Sequence, residues 1–466
     1  LMQEGFLAYA RKTPTATALI TETDPEKASI VSNKGSQLTI RDPVAISYSD
    51  LEVMSRTFAE KILDSLGLPV IKGEPPVVAV VMKKGWRQVV GVLACLRAGC
   101  AYLPLDAKLP RNRQEAILEA SGAVVVLTET QILKHKAPWL SGKTVRALLF
   151  DIDTCVTLPR AESKLEMQTA HVPKFRTAEE LTKAVTTVGC KDLGYVIYTS
   201  GSTGAPKGVR CHHAGAVNTC ADLNSEFKVG PGDRVLALSS LGFDLSVYDI
   251  FGLLEAGGTI VMPPTDLPDP ASWLEALEAT NVSIWNTVPR LMEVLVAYCE
   301  AKGCLLPESL RLVYMSGDFI PLNLPARIRK VAGRSDIELI SMGGATEAAV
   351  WSNIYKIPEV LDPEWNSIPY GQPMRNQSMY ILDANLQHCE PWVTGRIFIG
   401  GAGVAQGYHG DAKKTAEHFV THPEMGERMF RPGDLGRVRP GGLLEILGRE
   451  DDQVKLGGFR IELGEI

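Results

Sequence analysis

The sequence predicts an α/β protein with largely parallel sheets and a smaller β-rich unit, on three observations. Short apolar runs of strand length alternate with segments carrying apolar residues at helical spacing, the pattern of parallel sheets covered by helices. The texture changes near residue 371 to short strands broken by glycine and proline turns. The length, 466 residues, exceeds one typical domain of about 100–200 residues, so two or three structural units are expected.

The elements follow in order. Residues 77–82 are an uninterrupted apolar run that suits a buried strand, and residues 86–96 continue with helical spacing. Further strand-like runs occupy 124–127, 234–238, 259–262, 312–315 and 338–340, with helix-like segments at 271–279 and 291–300. Beyond 371, strands are expected at 379–383, 396–400 and 443–447. Residues 155–190 carry little periodicity and read as a long surface excursion.

Composition narrows the class. The chain is 45% hydrophobic and 22% charged, with a formal charge of −6 and no basic block. A nucleic-acid partner is not expected, since phosphate binding leaves a basic stripe. Nine cysteines without a CxxC pair fit reduced thiols of a cytoplasmic enzyme rather than a zinc site. No run approaches the ~18 apolar residues of a membrane span, so no membrane partner is expected.

The most informative segment is Tyr198-Thr199-Ser200-Gly201-Ser202-Thr203-Gly204-Ala205-Pro206-Lys207-Gly208, directly after a strand-like run. Glycines free backbone N–H groups to wrap an anion, hydroxyls add donors, and Lys207 adds a charge. A flexible polar turn explains glycine and serine but not their dense combination with Pro-Lys-Gly. The GxxxxGK[ST] spacing of the Walker loop is absent.

This segment resembles the signature loop of the adenylate-forming superfamily of acyl- and aryl-CoA ligases, luciferases and nonribosomal adenylation domains. Four more motifs follow the family's order. Residues 96–106, LRAGCAYLPLD, are similar to its second core motif. Gly344-Ala345-Thr346-Glu347 is similar to its GxTE element, and Arg431-Pro432-Gly433-Asp434-Leu435 to its TGD motif with proline for threonine. Residues 448–455, GREDDQVK, resemble its hinge motif.

The resemblance implies two αβ subdomains and a β-barrel-like subdomain, with an adenylation core over 1–450 whose β-rich part starts at about 371. Residues 451–466 would be the hinge, at Asp451, and the start of a truncated C-terminal subdomain, the rest of which is essentially absent. It implies ATP and Mg²⁺ as cofactors. Thr199, Ser200, Gly201, Ser202, Thr203, Gly204 and Lys207 would hold the β- and γ-phosphates, Thr346 the α-phosphate and Glu347 the Mg²⁺. Gly344 and Ala345 belong to the same nucleotide-binding element. Asp434 would accept from both ribose hydroxyls, with Arg449 nearby. Taken singly, Glu347 reads as a solvated carboxylate and Asp434 as a turn residue; motif order favours the functional reading. The family often carries an adenine-stacking aromatic where this chain has Gly343, so backbone and apolar contacts are expected to hold the base. The family's second catalytic lysine follows the hinge, so a chain stopping there is expected to turn over poorly.

The substrate follows from Gly242-Phe243-Asp244-Leu245-Ser246-Val247-Tyr248. An α-amino acid brings an ammonium into an apolar pocket, and an unpaired charge there is costly. Asp244 after Phe243 resembles the ammonium partner of amino-acid-selecting members; a helix cap is the competing reading. Matching the remaining positions gives Leu245, Tyr248, Asn286, Tyr314, Ser316, Met342, Val350 and Trp351, with Gly344 beside them. The bulky members leave room for a short side chain, and Asn286 and Ser316 suit a thiol or hydroxyl. The set is similar to that of cysteine-activating modules, ahead of serine or methionine. A peptidyl carrier protein bearing phosphopantetheine, and neighbouring synthetase domains, are the implied partners. Rival readings are an acyl- or aryl-CoA ligase and a non-catalytic nucleotide-binding module.

Overall fold

The computed structural model describes residues 1–21, 44–66, 74–136, 140, 148–151, 156–158, 188–199, 206–265, 267–365, 367–450, 453–456 and 459–462. Its architecture is the expected α/β core, built on two largely parallel sheets and one antiparallel sheet. In the nine-stranded sheet, Thr17–Thr21, Thr259–Val261, Arg234–Leu236, Ile284–Thr287, Leu312–Met315 and Glu338–Gly343 run parallel in that spatial order. Antiparallel strands finish both edges, Val44–Ser47 on one side and Asn353–Lys356 with Gln372–Pro373 on the other.

The eight-stranded sheet repeats the scheme. Leu193–Thr199, Ala101–Pro104, Val77–Val81, Val125–Thr128 and Leu148–Asp151 are parallel. Lys207–His212 and Gly407–Tyr408 extend one edge, and Val156–Leu158 the other. The rest of the expected surface excursion, residues 159–187, lies outside the described residues. Every residue of Val77–Val81 is buried, as a strand covered on both faces requires. The helix Trp86–Arg97 is buried continuously from Val89 to Arg97, which explains why its sequence is apolar all round.

The third sheet is antiparallel and six-stranded: Phe419–Thr421, Arg428–Phe430, Gly395–Gly401, Asp434–Arg439 and Leu443–Arg449 in order, with Gln377–Leu382 also on Gly395–Gly401. A two-stranded hairpin, Gln453–Leu456 with Phe459–Glu462, follows.

Helix ends follow local chemistry. Pro270–Ala279 starts with Pro270 in its first turn and with the Asp269 carboxylate accepting from the Ala271 N–H at 3.1 Å. Pro289–Lys302 stops at Gly303, whose φ of +67° suits a residue without a Cβ.

The period-two alternation of the central strands positions the site. Asn286, Tyr314 and Ile340 are in register across three neighbouring parallel strands. Tyr314, Ile340 and Met342 face one hydrophobic cluster, which also contains Leu245, Tyr248, Val350 and Trp351. Val313, Met315 and Leu339 face the other, with Trp285.

Candidate active site

Thr199 and Lys207 are direct partners across an antiparallel pair of strands, at either end of the glycine-rich segment. The positions Ser200, Gly201, Ser202, Thr203 and Gly204 lie outside the described residues. The Thr199 hydroxyl is buried without a hydrogen-bond partner among the described residues. Lys207 is 8% exposed, and its Nζ lies 3.6 Å from Oε1 of Glu347, which is fully buried. The Tyr408 hydroxyl donates to the same oxygen at 2.9 Å, and the Lys207 Nζ stands 5.2 Å from the centre of the Tyr408 ring. A buried carboxylate needs such partners, because an uncompensated charge there costs several kcal/mol. Glu347 is therefore a fixed interior group and not a solvated surface carboxylate. Tyr408 arrives because Gly407–Tyr408 pairs with the Lys207 strand, Tyr408 opposite Val209.

Thr346 and Glu347 form a single turn, Thr346–Ala348, right after the strand Glu338–Gly343. The Thr346 hydroxyl donates to Asp244 Oδ2 at 2.8 Å. Asp244 is 8% exposed and stands just before the short turn Leu245–Val247, yet its side chain makes no cap hydrogen bond. The helix-cap reading is thus replaced by a link between the acid-pocket motif and the GxTE element. Gly344 has no room for a side chain, since a Cβ there would lie 2.5 Å from the Val350 carbonyl oxygen. The chain then turns back through Ala349 and Val350, both at positive φ, +56° and +76°. Strained backbone of this kind, in a β-branched residue above all, concentrates where the surrounding structure enforces it.

The remaining pocket positions come together. Tyr248 meets Tyr314 and Trp351 edge-on, with ring centres 5.6 Å and 5.7 Å apart. The Tyr248 hydroxyl donates to Asn224 at 3.0 Å, which fixes the ring. Asn286 is fully buried, and its amide donates to Asp249 Oδ1 at 2.8 Å and to the Leu245 carbonyl at 3.3 Å. Both N–H groups are therefore committed, and the Asn286 Oδ1 has no partner. Ser316 Oγ and Trp351 Nε1 are also buried without partners. Buried polar atoms rarely stay unsatisfied, so orphaned atoms at three of the positions expected to line the substrate pocket point to a polar ligand. Phe243 sits at the turn ahead of Asp244, where its carbonyl accepts from the Ser246 hydroxyl at 2.7 Å. Burial pushes the Asp249 carboxyl up to about 7, against the lowering effects of the Asn286 hydrogen bond and Lys84.

Asp434 and Arg449 face each other across a strand pair, and Arg449 Nη1 donates to Asp434 Oδ1 at 2.7 Å. Arg449 also donates to the Pro432 carbonyl at 2.9 Å. Arg449 thus orients the carboxylate and already engages one of the two oxygens expected to face a ribose. Asp451 lies outside the described residues.

A family model described as AMP-binding enzyme matches residues 8–409. The chain belongs to that family. Among relatives of this AMP-binding enzyme, the anguibactin system regulator of Vibrio anguillarum is 44% identical over 390 residues, 84% of this chain and 34% of the relative. Pyochelin synthetase PchF of Pseudomonas aeruginosa is 43% identical over 425 residues, 90% of this chain and 21% of the relative. The chain therefore spans about a third or less of the length of these relatives. Among solved structures, the nonribosomal peptide synthetase FmoA3 in its α-methyl-L-serine-AMP-bound form matches with a TM-score of 0.78 and 36% identity, covering 97% of this chain and 45% of that one.

Three residues of this AMP-binding enzyme's site escape sequence reasoning. Tyr408 reaches Glu347 through a strand pairing that no local pattern encodes. Asp249 reads as an ordinary polar residue until Asn286 is seen bonded to it. Tyr370 fills the space beside Gly343, where an added Cβ would lie 1.7 Å from the ring's Cε2. The only sequence signal for Tyr370 is the missing aromatic at 343, which leaves a volume that something must occupy.

Proposed function

We propose that this chain uses ATP to activate an α-amino acid, with L-cysteine the leading substrate, as its aminoacyl-adenylate with release of pyrophosphate. The aminoacyl group then passes as a thioester to the phosphopantetheine arm of a peptidyl carrier protein. The observation that carries the reading is the buried Asp244 carboxylate, bonded to Thr346 and followed directly by Leu245, whose carbonyl accepts from the Asn286 amide. An amino acid's ammonium is attracted to the Asp244 carboxylate, whereas an amine-free acid brings only like charge toward it. This argues against an acyl- or aryl-CoA ligase. The paired Lys207 and Glu347 argue against a module that has lost its chemistry.

In the reaction, the substrate carboxylate attacks the α-phosphorus, forming the acyl–phosphate bond while the bond to the β-phosphate oxygen breaks. Asp244 holds the amino end of the substrate, and Thr346, bonded to it, ties that end to the element facing the α-phosphate. Lys207 and the phosphate loop stabilise charge on the departing pyrophosphate. Mg²⁺, with its preference for hard oxygens, fits the Glu347 carboxylate and the orphaned Thr199 hydroxyl, and when bound neutralises phosphate charge.

The Asn286 oxygen supports a substrate with a short hydrogen-bond donor, because both amide hydrogens are committed and only an acceptor remains. A thiol or hydroxyl satisfies it; a methyl or thioether leaves it unpaired, at a cost of about 1–3 kcal/mol. That FmoA3 was solved with α-methyl-L-serine-AMP fits a short polar side chain.

The test is calorimetric binding of non-hydrolysable adenylate mimics of cysteine, serine, methionine, leucine and an amine-free acid. Cysteine is expected to bind tightest, serine next, and the amine-free mimic at least ten-fold more weakly. Preference for leucine or for the amine-free acid overturns the assignment.

A further inference from the structure

Position 343 and position 370 share one volume. Gly343 ends the strand Glu338–Gly343, directly opposite Asn353 on the antiparallel neighbour. A Cβ on Gly343 would meet Cε2, Cζ and Cδ2 of Tyr370 at 1.7, 2.4 and 2.6 Å. The aromatic ring therefore lies against the Gly343 backbone itself, and a side chain at 343 and a ring at 370 exclude one another. The ring's placement is fixed from both ends of its residue. The Tyr370 N–H donates to the Leu444 carbonyl at 2.9 Å, and the Tyr370 carbonyl accepts from the fully buried Asn353 amide. Its partly buried ring joins the main hydrophobic cluster.

Asp434, the candidate ribose acceptor, and the Gly344 amide, next to the candidate α-phosphate residue Thr346, both act on the Tyr370 phenol. Burial raises its pKa, Asp434 raises it further and Gly344 opposes the rise. The ring lies against Gly343, one residue before the GxTE element, and its backbone is bonded to Leu444 on the strand that pairs with Asp434–Arg439, so it neighbours the space the adenylation reading gives to a nucleotide base.

We propose that the Tyr370 ring, supplied from the connection between the strands Asn353–Lys356 and Gln372–Pro373 into the space left by Gly343, is the platform on which the adenine of ATP stacks. The assignment rests on the adenylation reading above and names a base-binding residue for it. The physics is ordinary: a base gains affinity on an aromatic face, and removing the ring costs roughly 10-fold or more in binding. What is particular to this chain is the source of the ring. It comes from residue 370 and not from the end of the central strand, which ends in Gly343 and is followed by Gly344, neither with room for a Cβ.

The test compares adenine nucleotide with a base-free ligand. Binding of a non-hydrolysable ATP analogue and of tripolyphosphate is measured by calorimetry on the wild-type chain, Tyr370→Phe, Tyr370→Leu and the exchange variant Gly343→Tyr/Tyr370→Ala. Tyr370→Phe is expected to stay within about two-fold of wild type for the ATP analogue. Tyr370→Leu keeps bulk in the core and is expected to weaken the ATP analogue roughly 10-fold or more, with tripolyphosphate unchanged. The exchange variant, which returns a ring to position 343, is expected to recover most of the loss. The proposal is overturned if Tyr370→Leu binds the ATP analogue like wild type. It is equally overturned if tripolyphosphate weakens in parallel, because the ring then only supports the fold. A wild-type chain that binds tripolyphosphate but no adenine nucleotide removes the adenylation reading itself, an outcome distinct from failure of the Tyr370 assignment.

Discussion

At the scale of single residues, Asp244 couples two halves of the chemistry. Its carboxylate accepts from Thr346 and is 8% exposed, and it makes no cap bond to the following turn; the proposed role is to pair with the substrate's ammonium. Replacing it by alanine removes the ammonium's partner and frees the Thr346 hydroxyl. Leaving one buried charge alone costs about 3–5 kcal/mol. Asp244→Ala is therefore expected to weaken binding of an aminoacyl-adenylate mimic by roughly 10²–10³-fold. AMP binding, measured in the same titration series, is expected to stay within a few-fold of wild type. Equal loss for both ligands shows that Asp244 only maintains the fold.

At the scale of elements, much was legible because strands and helices here obey local rules. The expected strand over 312–315 is observed at Leu312–Met315, and the helix expected over 271–279 begins one residue earlier, at Pro270. The strand expected over 338–340 continues to Gly343, since Gly343 still pairs with Asn353 although glycine gives no strand signal. The site was legible where a motif is contiguous, as at Thr346 and Glu347. It was not legible where a partner comes by strand pairing across the chain: Tyr408 lies 61 residues from Glu347, and no periodicity links them. The turn that carries Ala349 and Val350 also escaped notice, because neither residue type favours positive φ. That turn yields a prediction. Ala349 has φ +56° and ψ +64°, a left-handed conformation that costs an L-residue about 1–2 kcal/mol and glycine little. Ala349→Gly is expected to unfold at the same temperature as wild type or up to a few degrees higher, and Ala349→Val several degrees lower. Calorimetric melts decide it; a clear loss of stability in the glycine variant shows that the turn is not strained.

For the whole molecule, buried titratable groups set opposing pH dependences. Burial raises Asp249 and Glu255 each to about 7, so between about pH 4 and 7 the fold keeps protons that the unfolded chain has lost. Stability contributed by these protonated acids therefore falls as pH rises through that window. Burial lowers His213 to about 3, with His212 adding to it, so below about pH 6.5 the unfolded chain binds a proton that the fold does not. That term falls in the other direction, as pH drops. Asp249→Asn retains an oxygen for Asn286 but no charge. It is expected to melt about 1–3 °C above wild type at pH 8, with the gap closing by pH 5; a gap that does not change with pH rules out a titrating Asp249. The molecule's layout also bears on how such enzymes are recombined. Gly343 and Tyr370 lie on two segments of chain that occupy one volume. A graft that imports residues 234–352 from a relative with an aromatic at the first position drives two rings together, and the reciprocal graft leaves neither. Breakpoints placed after residue 371 move the pair as one unit, so the seam for transplanting a pocket is set by the nucleotide base and not by the amino acid being exchanged.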